Sequence, residues 1–179
     1  NRGFSYRSEG PLDMRFDQSS GSNAKKLIDQ ADRDSLVQIF KEYGEERLAS
    51  RIAKSIKEMT AMNTIADLRE AIRRCTPPNH RDRTFARIFQ ALRIAVNGEL
   101  DILQQFLAKF IDFLRPGGRI VIISYHSLED RLVKHSFKEL ASGGTLDILT
   151  KRPMTATENE RKNNRRAGSA KLRAAVKVA

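Results

Sequence analysis

The sequence predicts an α/β protein, and three patterns carry that prediction. Apolar residues recur at helical spacing through most of positions 22–114. An unbroken apolar run, Ile120 to Ile123, stands between a Pro-Gly-Gly turn and a helix start, and two alternating segments close the chain. Helix, turn, strand, helix and two further strands make the closing half of an α/β sheet rather than a whole one.

The opening, Asn1 to Pro11, has no apolar period and reads as a loop cut from something longer. Leu36, Ile39 and Phe40 mark a short helix, and Gly44 supplies the left-handed stop that ends it. Leu48, Ile52, Ile56 and Met59, widened by Ala49 and Ala53, predict a long amphipathic helix. Thr64 and Asp67 form an acidic capping box for a helix through Leu68 and Ile72, which must end before Pro77-Pro78. A second helical pair runs from about Thr84 to Leu114. Leu114 to Gly118 is a tight turn, because Pro presets a negative φ and Gly accepts a positive one. The run that follows, Arg119 to Ser124, lacks alternation and suits a parallel-type strand covered on both faces. Ser127 and Asp130 then cap a helix carrying Leu128, Leu132, Val133 and Leu140, and Gly143-Gly144 ends it. Residues 145–150 and 170–178 alternate and read as half-buried strands flanking a basic loop.

Composition narrows the class. The chain has 179 residues, 40% of them hydrophobic, enough to fill a core. Its one cysteine, Cys75, cannot pair within the chain, so a reducing cytoplasm is the expected compartment and a core filler the expected role. The longest apolar run is far too short for a membrane span, so a soluble protein is expected. The net charge of +11 points to a polyanionic partner, and it is uneven: residues 151–179 hold nine basic side chains against two acidic ones. A solvated basic face is the competing reading of that run.

Most chemical signatures are missing. There is no phosphate loop, no Gly-x-Ser-x-Gly elbow and no Cys/His cluster, and His80, His126 and His135 lack the spacing of metal ligands, so no metal is expected. Gly117-Gly118 precedes a strand instead of joining a strand to a helix, which suits a turn better than a phosphate site. The informative segment is Ser124 to Arg131. It follows the carboxyl end of the predicted strand, where open α/β sheets bind ligands.

Several long motifs stand in a fixed order. They are Arg2-Gly3-Phe4-Ser5-Tyr6, Gly10 to Arg15, Tyr43-Gly44-Glu45-Glu46, Phe89 to Asn97, Leu114 to Gly118, Ser124 to Arg131, Leu149 to Pro153 and Ser169 to Arg173. In these the chain closely resembles the RsmH/MraW family, methyltransferases acting on a cytosine N4 in small-subunit (16S) ribosomal RNA. The resemblance implies a partial class I (Rossmann-like) S-adenosylmethionine-dependent methyltransferase sheet with an α-helical insertion. It divides the chain into a core loop at 1–18, the insertion at 19–83 and the C-terminal core with a basic tail at 84–179. No position matches the family's donor-binding motifs, so the resemblance implies that S-adenosylmethionine is held mainly by an N-terminal part preceding Asn1, and that this chain alone is inactive.

An exocyclic cytosine amine is a poor nucleophile because its lone pair is delocalised, so it needs in-line positioning and acceptors for its protons. The base must also leave its stack and be gripped by aromatic faces. On the resemblance, Asp13 and the Tyr125-His126-Ser127 loop are expected to face the cytosine, with Phe4 or Tyr6 as stacking plane, while no residue is assigned a catalytic step. Lys151, Arg152, Arg165, Arg166, Lys171 and Arg173 are expected to contact phosphates, positioning RNA without reading its sequence. The expected partner is 16S rRNA or the small ribosomal subunit, neither DNA nor membrane. An unpaired sheet edge left by missing strands would favour self-association. The alternative reading is a non-catalytic RNA-binding module, and a third is an inert fragment.

Overall fold

In the computed structural model, residues 2–178 are described and form eight α-helices and four short strands. They group into two compact units, Asn1–Glu99 and Leu100–Ala179.

The first unit is built on α1 (Ala24–Gln30), α2 (Arg33–Glu42), α3 (Ala49–Lys57), α4 (Ile65–Cys75) and α5 (Arg81–Asn97). Each of the first two helices begins where a short polar side chain accepts a backbone N–H of the first turn, Asn23 from Lys26 and Asp32 from Ser35. The Thr64/Asp67 capping box forms as expected: Thr64 Oγ1 accepts the Asp67 N–H at 3.2 Å and Asp67 Oδ2 accepts the Thr64 N–H at 2.9 Å. Leu36, Phe40, Ile52, Leu68, Ile88 and Leu92 meet in a core that excludes water. Ser55 Oγ satisfies the buried Ala71 carbonyl at 2.7 Å, tying α3 to α4. Lys57 Nζ donates to the Ile28 carbonyl at 2.7 Å, next to the end of α1, where a cation matches the helix dipole.

Two expectations change here. The stripe from Leu48 to Met59 gives a helix of nine residues, since Leu48 is its N-cap and Met59 lies past its end. Gly44 does not supply the left-handed stop, for the positive φ, 49°, belongs to Glu45. Glycine is needed at position 44 for another reason. A Cβ there would meet the carbonyl oxygens of Phe40 at 2.8 Å and Arg87 at 2.9 Å, so the chain crosses α5 with no room for a side chain.

The end of the opening loop, from Gly10 to Asp13, is anchored to the starts of α1 and α4. The Ile65 N–H donates to the Gly10 carbonyl, and the N–H groups of Ala24 and Lys25, at the start of α1, donate to the carbonyls of Asp13 and Leu12.

The second unit holds α6 (Glu99–Lys109), a 3-10 turn at Phe110–Phe113, β1 (Arg119–Ser124), α7 (Ser127–Ser142), β2 (Leu146–Ile148), β3 (Met154–Thr155), α8 (Glu158–Asn163) and β4 (Lys171–Lys177). β4 is the hub of the sheet. β1 runs antiparallel along one edge, pairing Arg119 with Val176 and Ser124 with Lys171. β2 and β3 share the other edge, opposite the two ends of β4. Phe110, Val133, Phe137, Leu146 and Ala175 form the core between helix and sheet.

The fold class is therefore mixed α/β, mostly helical, with a small sheet whose pairings among the described residues are all antiparallel. That corrects the parallel-type reading of Arg119 to Ser124. Nor is β1 covered on both faces: Ile120 and Ile122 are half-buried, whereas Val121 and Ile123 are 57% and 51% exposed. No strand lies along its other edge among the described residues. The basic loop expected between the last two strands is also more ordered than expected, since it contains β3, α8 and a 3-10 turn at Arg165–Ser169.

Candidate functional site

The candidate residues fall into three groups, taken here within their own units. In the first unit, Asp13 opens a kinked turn. Its Oδ1 accepts the Arg15 backbone N–H at 3.0 Å and Nε at 2.9 Å, and its Oδ2 accepts Nη2 at 2.9 Å. The hydrogen bond from the Arg15 side chain is the main influence on Asp13 and, against the opposing effect of burial, holds its carboxyl below the usual range. Asp13 is therefore a carboxylate at neutral pH.

Met14 follows with φ at 60°, a conformation that a non-glycine residue adopts only when its surroundings impose it. Asn97, the last residue of α5, does the imposing. Its Nδ2 donates to the Met14 carbonyl at 2.7 Å and its Oδ1 accepts the Phe16 N–H at 2.8 Å. Asn97 closes one of the motifs that carry the family resemblance, but no local pattern gave it a partner eighty residues away.

The two stacking candidates separate. Tyr6 lies between two core rings, stacked on Phe85 at 5.5 Å and edge-on to Phe89 at 6.0 Å, so it is a core anchor and not a free plane. Phe4 stacks on Phe16 at 5.4 Å with the Arg2 guanidinium 5.0 Å from its centroid, and Phe16 is 57% exposed. The aromatic surface in this loop is thus the Phe4/Phe16 pair.

In the second unit the loop after β1 forms where expected, with its cap moved by one residue. His126, not Ser127, is the N-cap of α7. His126 Nδ1 accepts the Glu129 N–H at 3.3 Å, and Glu129 Oε2 accepts the N–H groups of Tyr125 at 2.8 Å and His126 at 3.4 Å. With Nδ1 an acceptor, the neutral ring carries its proton on Nε2, which lies 3.5 Å from Glu129 Oε1. Ser127 is exposed in the first turn, and the Tyr125 side chain stands out to solvent.

Asp130 is released from the capping role for a different task. It accepts Arg173 Nε at 2.7 Å and Nη2 at 3.2 Å, with Lys171 Nζ at 3.3 Å. Burial opposes its ionisation, but the hydrogen bond and charge of Arg173, joined by Lys171, outweigh that and lower its pKa. This removes Arg173 from the phosphate-contact set: it is 7% exposed and committed to Asp130. Lys171 is shared between Asp130 and solvent. Lys151, Arg152, Arg165 and Arg166 remain exposed on the basic segment.

The match to known proteins covers nearly the whole chain. The model of the MraW methylase family matches residues 1–178. Proteins called ribosomal RNA small subunit methyltransferase H are similar to it, among them those of Synechocystis sp., 48% identical over 99% of this chain, and of Trichormus variabilis, 50% identical over 99%. The protein of that name from Kosmotoga olearia is 49% identical over 99% of the chain. The chain spans 58–61% of the length of these relatives. With one family model running over both units, the chain belongs to the MraW methylase family.

Proposed function

We propose that this chain is the RNA-facing portion of an enzyme that methylates a cytosine N4 amine in 16S ribosomal RNA. The observation that carries the reading is the family match over residues 1–178, together with relatives whose names state small-subunit rRNA methylation. The kinked turn supports it, because a strained residue clamped from a distant helix is characteristic of working loops. In this reading residues 1–18 and 84–179 belong to the methyltransferase core, 19–83 is the insertion, and the protein works in the cytoplasm.

The family's chemistry implies S-adenosylmethionine as methyl donor. The chain's own glycine turn does not fit it. The Gly117 N–H is spent on the Lys177 carbonyl at 2.9 Å and the Gly118 N–H on the Arg115 carbonyl at 2.7 Å, so neither is free to cradle a ligand. The donor is accordingly assigned to residues outside this chain. The open edge and bare face of β1 agree with a larger sheet continuing there.

Within the first unit, Asp13 keeps its charge at neutral pH and offers the substrate a carboxylate acceptor. Tyr125 presents a ring for the extruded base, His126 fixes that ring's backbone through the α7 cap, and the exposed Ser127 hydroxyl offers a contact to the base edge. Lys151, Arg152, Arg165 and Arg166 hold phosphates. In the full-length protein, Asp13→Asn and Tyr125→Ala are each expected to lower methylation of small-subunit RNA by more than about tenfold with RNA affinity kept. Wild-type turnover in both would defeat the assignment, and RNA binding without methylation by the unaltered full-length protein would favour the non-catalytic module.

A further inference from the structure

Both N–H groups and the oxygen of the Asn97 side chain are engaged. Nδ2 donates to the Arg93 carbonyl of its own helix at 2.8 Å and to the Met14 carbonyl at 2.7 Å, while Oδ1 accepts the Phe16 N–H at 2.8 Å. The Arg93 bond sets the direction of the amide from behind. The helix end beneath it is fixed too, since Gly98 turns left-handed with φ at 60° and its N–H closes on the Ile94 carbonyl. A group locked by its own supports imposes a geometry on its partner instead of following it.

That geometry bears on Asp13. The Met14 carbonyl and the Arg15 N–H belong to one planar peptide group, gripped from opposite sides, the carbonyl by Asn97 Nδ2 and the N–H by Asp13 Oδ1 at 3.0 Å. The Phe16 N–H belongs to the next peptide, so Asn97 holds both planes that flank Arg15, the residue whose guanidinium returns to the same carboxylate. Turning Asp13 therefore means turning a plane that α5 holds. Of the two carboxylate oxygens, Oδ1 accepts two hydrogen bonds and Oδ2 one, although each can accept two, and Gln18 is the least of the influences on the group. Oδ2 keeps an acceptor position, and 13% of the side chain reaches solvent.

We propose that Asn97 is a positioning residue for the reaction, holding the Asp13 carboxylate in the orientation that presents Oδ2 to the substrate amine. The inference deepens the proposed function and rests on its assignment of Asp13 as acceptor. It also accounts for a strained and fully buried Met14: relaxing its φ from 60° would swing the shared peptide and carry the Arg15 N–H off Oδ1. A misplacement of about 1 Å costs on the order of a hundredfold in rate.

The test is a double-mutant cycle in the full-length protein, read as kcat and KM for methylation of small-subunit RNA. Asn97→Ala is expected to lower kcat by about tenfold or more with the KM for RNA within about twofold, because it removes no assigned RNA contact. In an Asp13→Asn background the same change is expected to cost less than about twofold further, since its effect runs through a carboxylate already gone. A purely structural role would give losses that multiply, and that result overturns the proposal, as does an Asn97→Ala kcat within about twofold of the original. Melting curves check folding; should Asn97→Ala not fold, Asn97→Asp, which keeps the Phe16 bond and loses the Met14 donor, carries the same cycle. This chain alone gives a second readout. In Asn97→Ala, carboxyl NMR should find Asp13 titrating closer to the ordinary value of about 3.9 than in the original, because the Arg15 donors are less well held. An unmoved titration overturns the linkage. Full kcat in Asp13→Asn removes the acceptor assignment and this inference with it, whereas a slow Asp13→Asn beside a fast Asn97→Ala removes the inference and leaves the proposed function standing.

Discussion

Replacing Asp130 with alanine is expected to destabilise the second unit by about 3 kcal/mol, because it strands the buried Arg173 guanidinium without a counter-charge. For a unit of this size the melting temperature should fall by about 10 °C or more in thermal denaturation. The pair joins α7 to β4, so the loss should appear as faster amide exchange in both elements. Asp130→Asn supplies a pH test. The pKa of Asp130 is depressed in the folded chain, so the pair's contribution is complete above the unfolded carboxylate pKa of about 3.9 and disappears as pH falls through the lower folded value. The original chain should thus lose stability below about pH 4 more steeply than Asp130→Asn, which has no such proton to take up. Parallel acid profiles, or a fall in melting temperature under about 3 °C for the alanine variant, would show that the ion pair is not a tie between helix and sheet.

The second large effect is expected at Asn97. Alanine there removes the donor to Met14 and the acceptor of Phe16, leaving the kink at Met14 without the clamp that imposes it. The two lost hydrogen bonds cost about 2 kcal/mol, an amount that relaxation of the strained Met14 backbone partly offsets. Release should concentrate in residues 13–21, read as new proteolytic cleavage within that segment, while Asn97→Asp, which keeps the acceptor for Phe16 but not the donor to Met14, should give an intermediate result. If Asn97→Ala resists protease as well as the original chain, the turn is held by its own Asp13–Arg15 bonds, and Asn97 is incidental.

What could be read in advance depended on range. The Thr64/Asp67 box was legible because both bonds close within four residues and the donor geometry belongs to the helix itself. The β1 segment was legible as a strand from its Ile/Val run and the turn before it, yet not its direction of pairing, which is decided by β4 some fifty residues later. The cap of α7 shows two local rules in competition. Ser127 with Asp130 and His126 with Glu129 both satisfy the capping spacing, and Ser is ordinarily the better cap. The choice goes to His126 because Arg173, from the far end of the chain, claims Asp130. Of the candidate site, the loops after Gly10 and after Ser124 were legible from motifs, whereas the commitments of Tyr6 to Phe85 and of Arg173 to Asp130 are tertiary and left no local trace.

The internal use of basic side chains changes how the tail should behave as a polyelectrolyte. Lys177 Nζ donates to the Ile111 and Leu114 carbonyls at 2.9 Å each, and Arg173 and Lys171 meet Asp130. Six of the nine cations after Thr150, namely Lys151, Arg152, Arg161, Lys162, Arg165 and Arg166, are left to displace condensed counterions from a nucleic acid strand. For single-stranded RNA that corresponds to a logarithmic salt slope from the tail of about −4, against about −6 for the full complement.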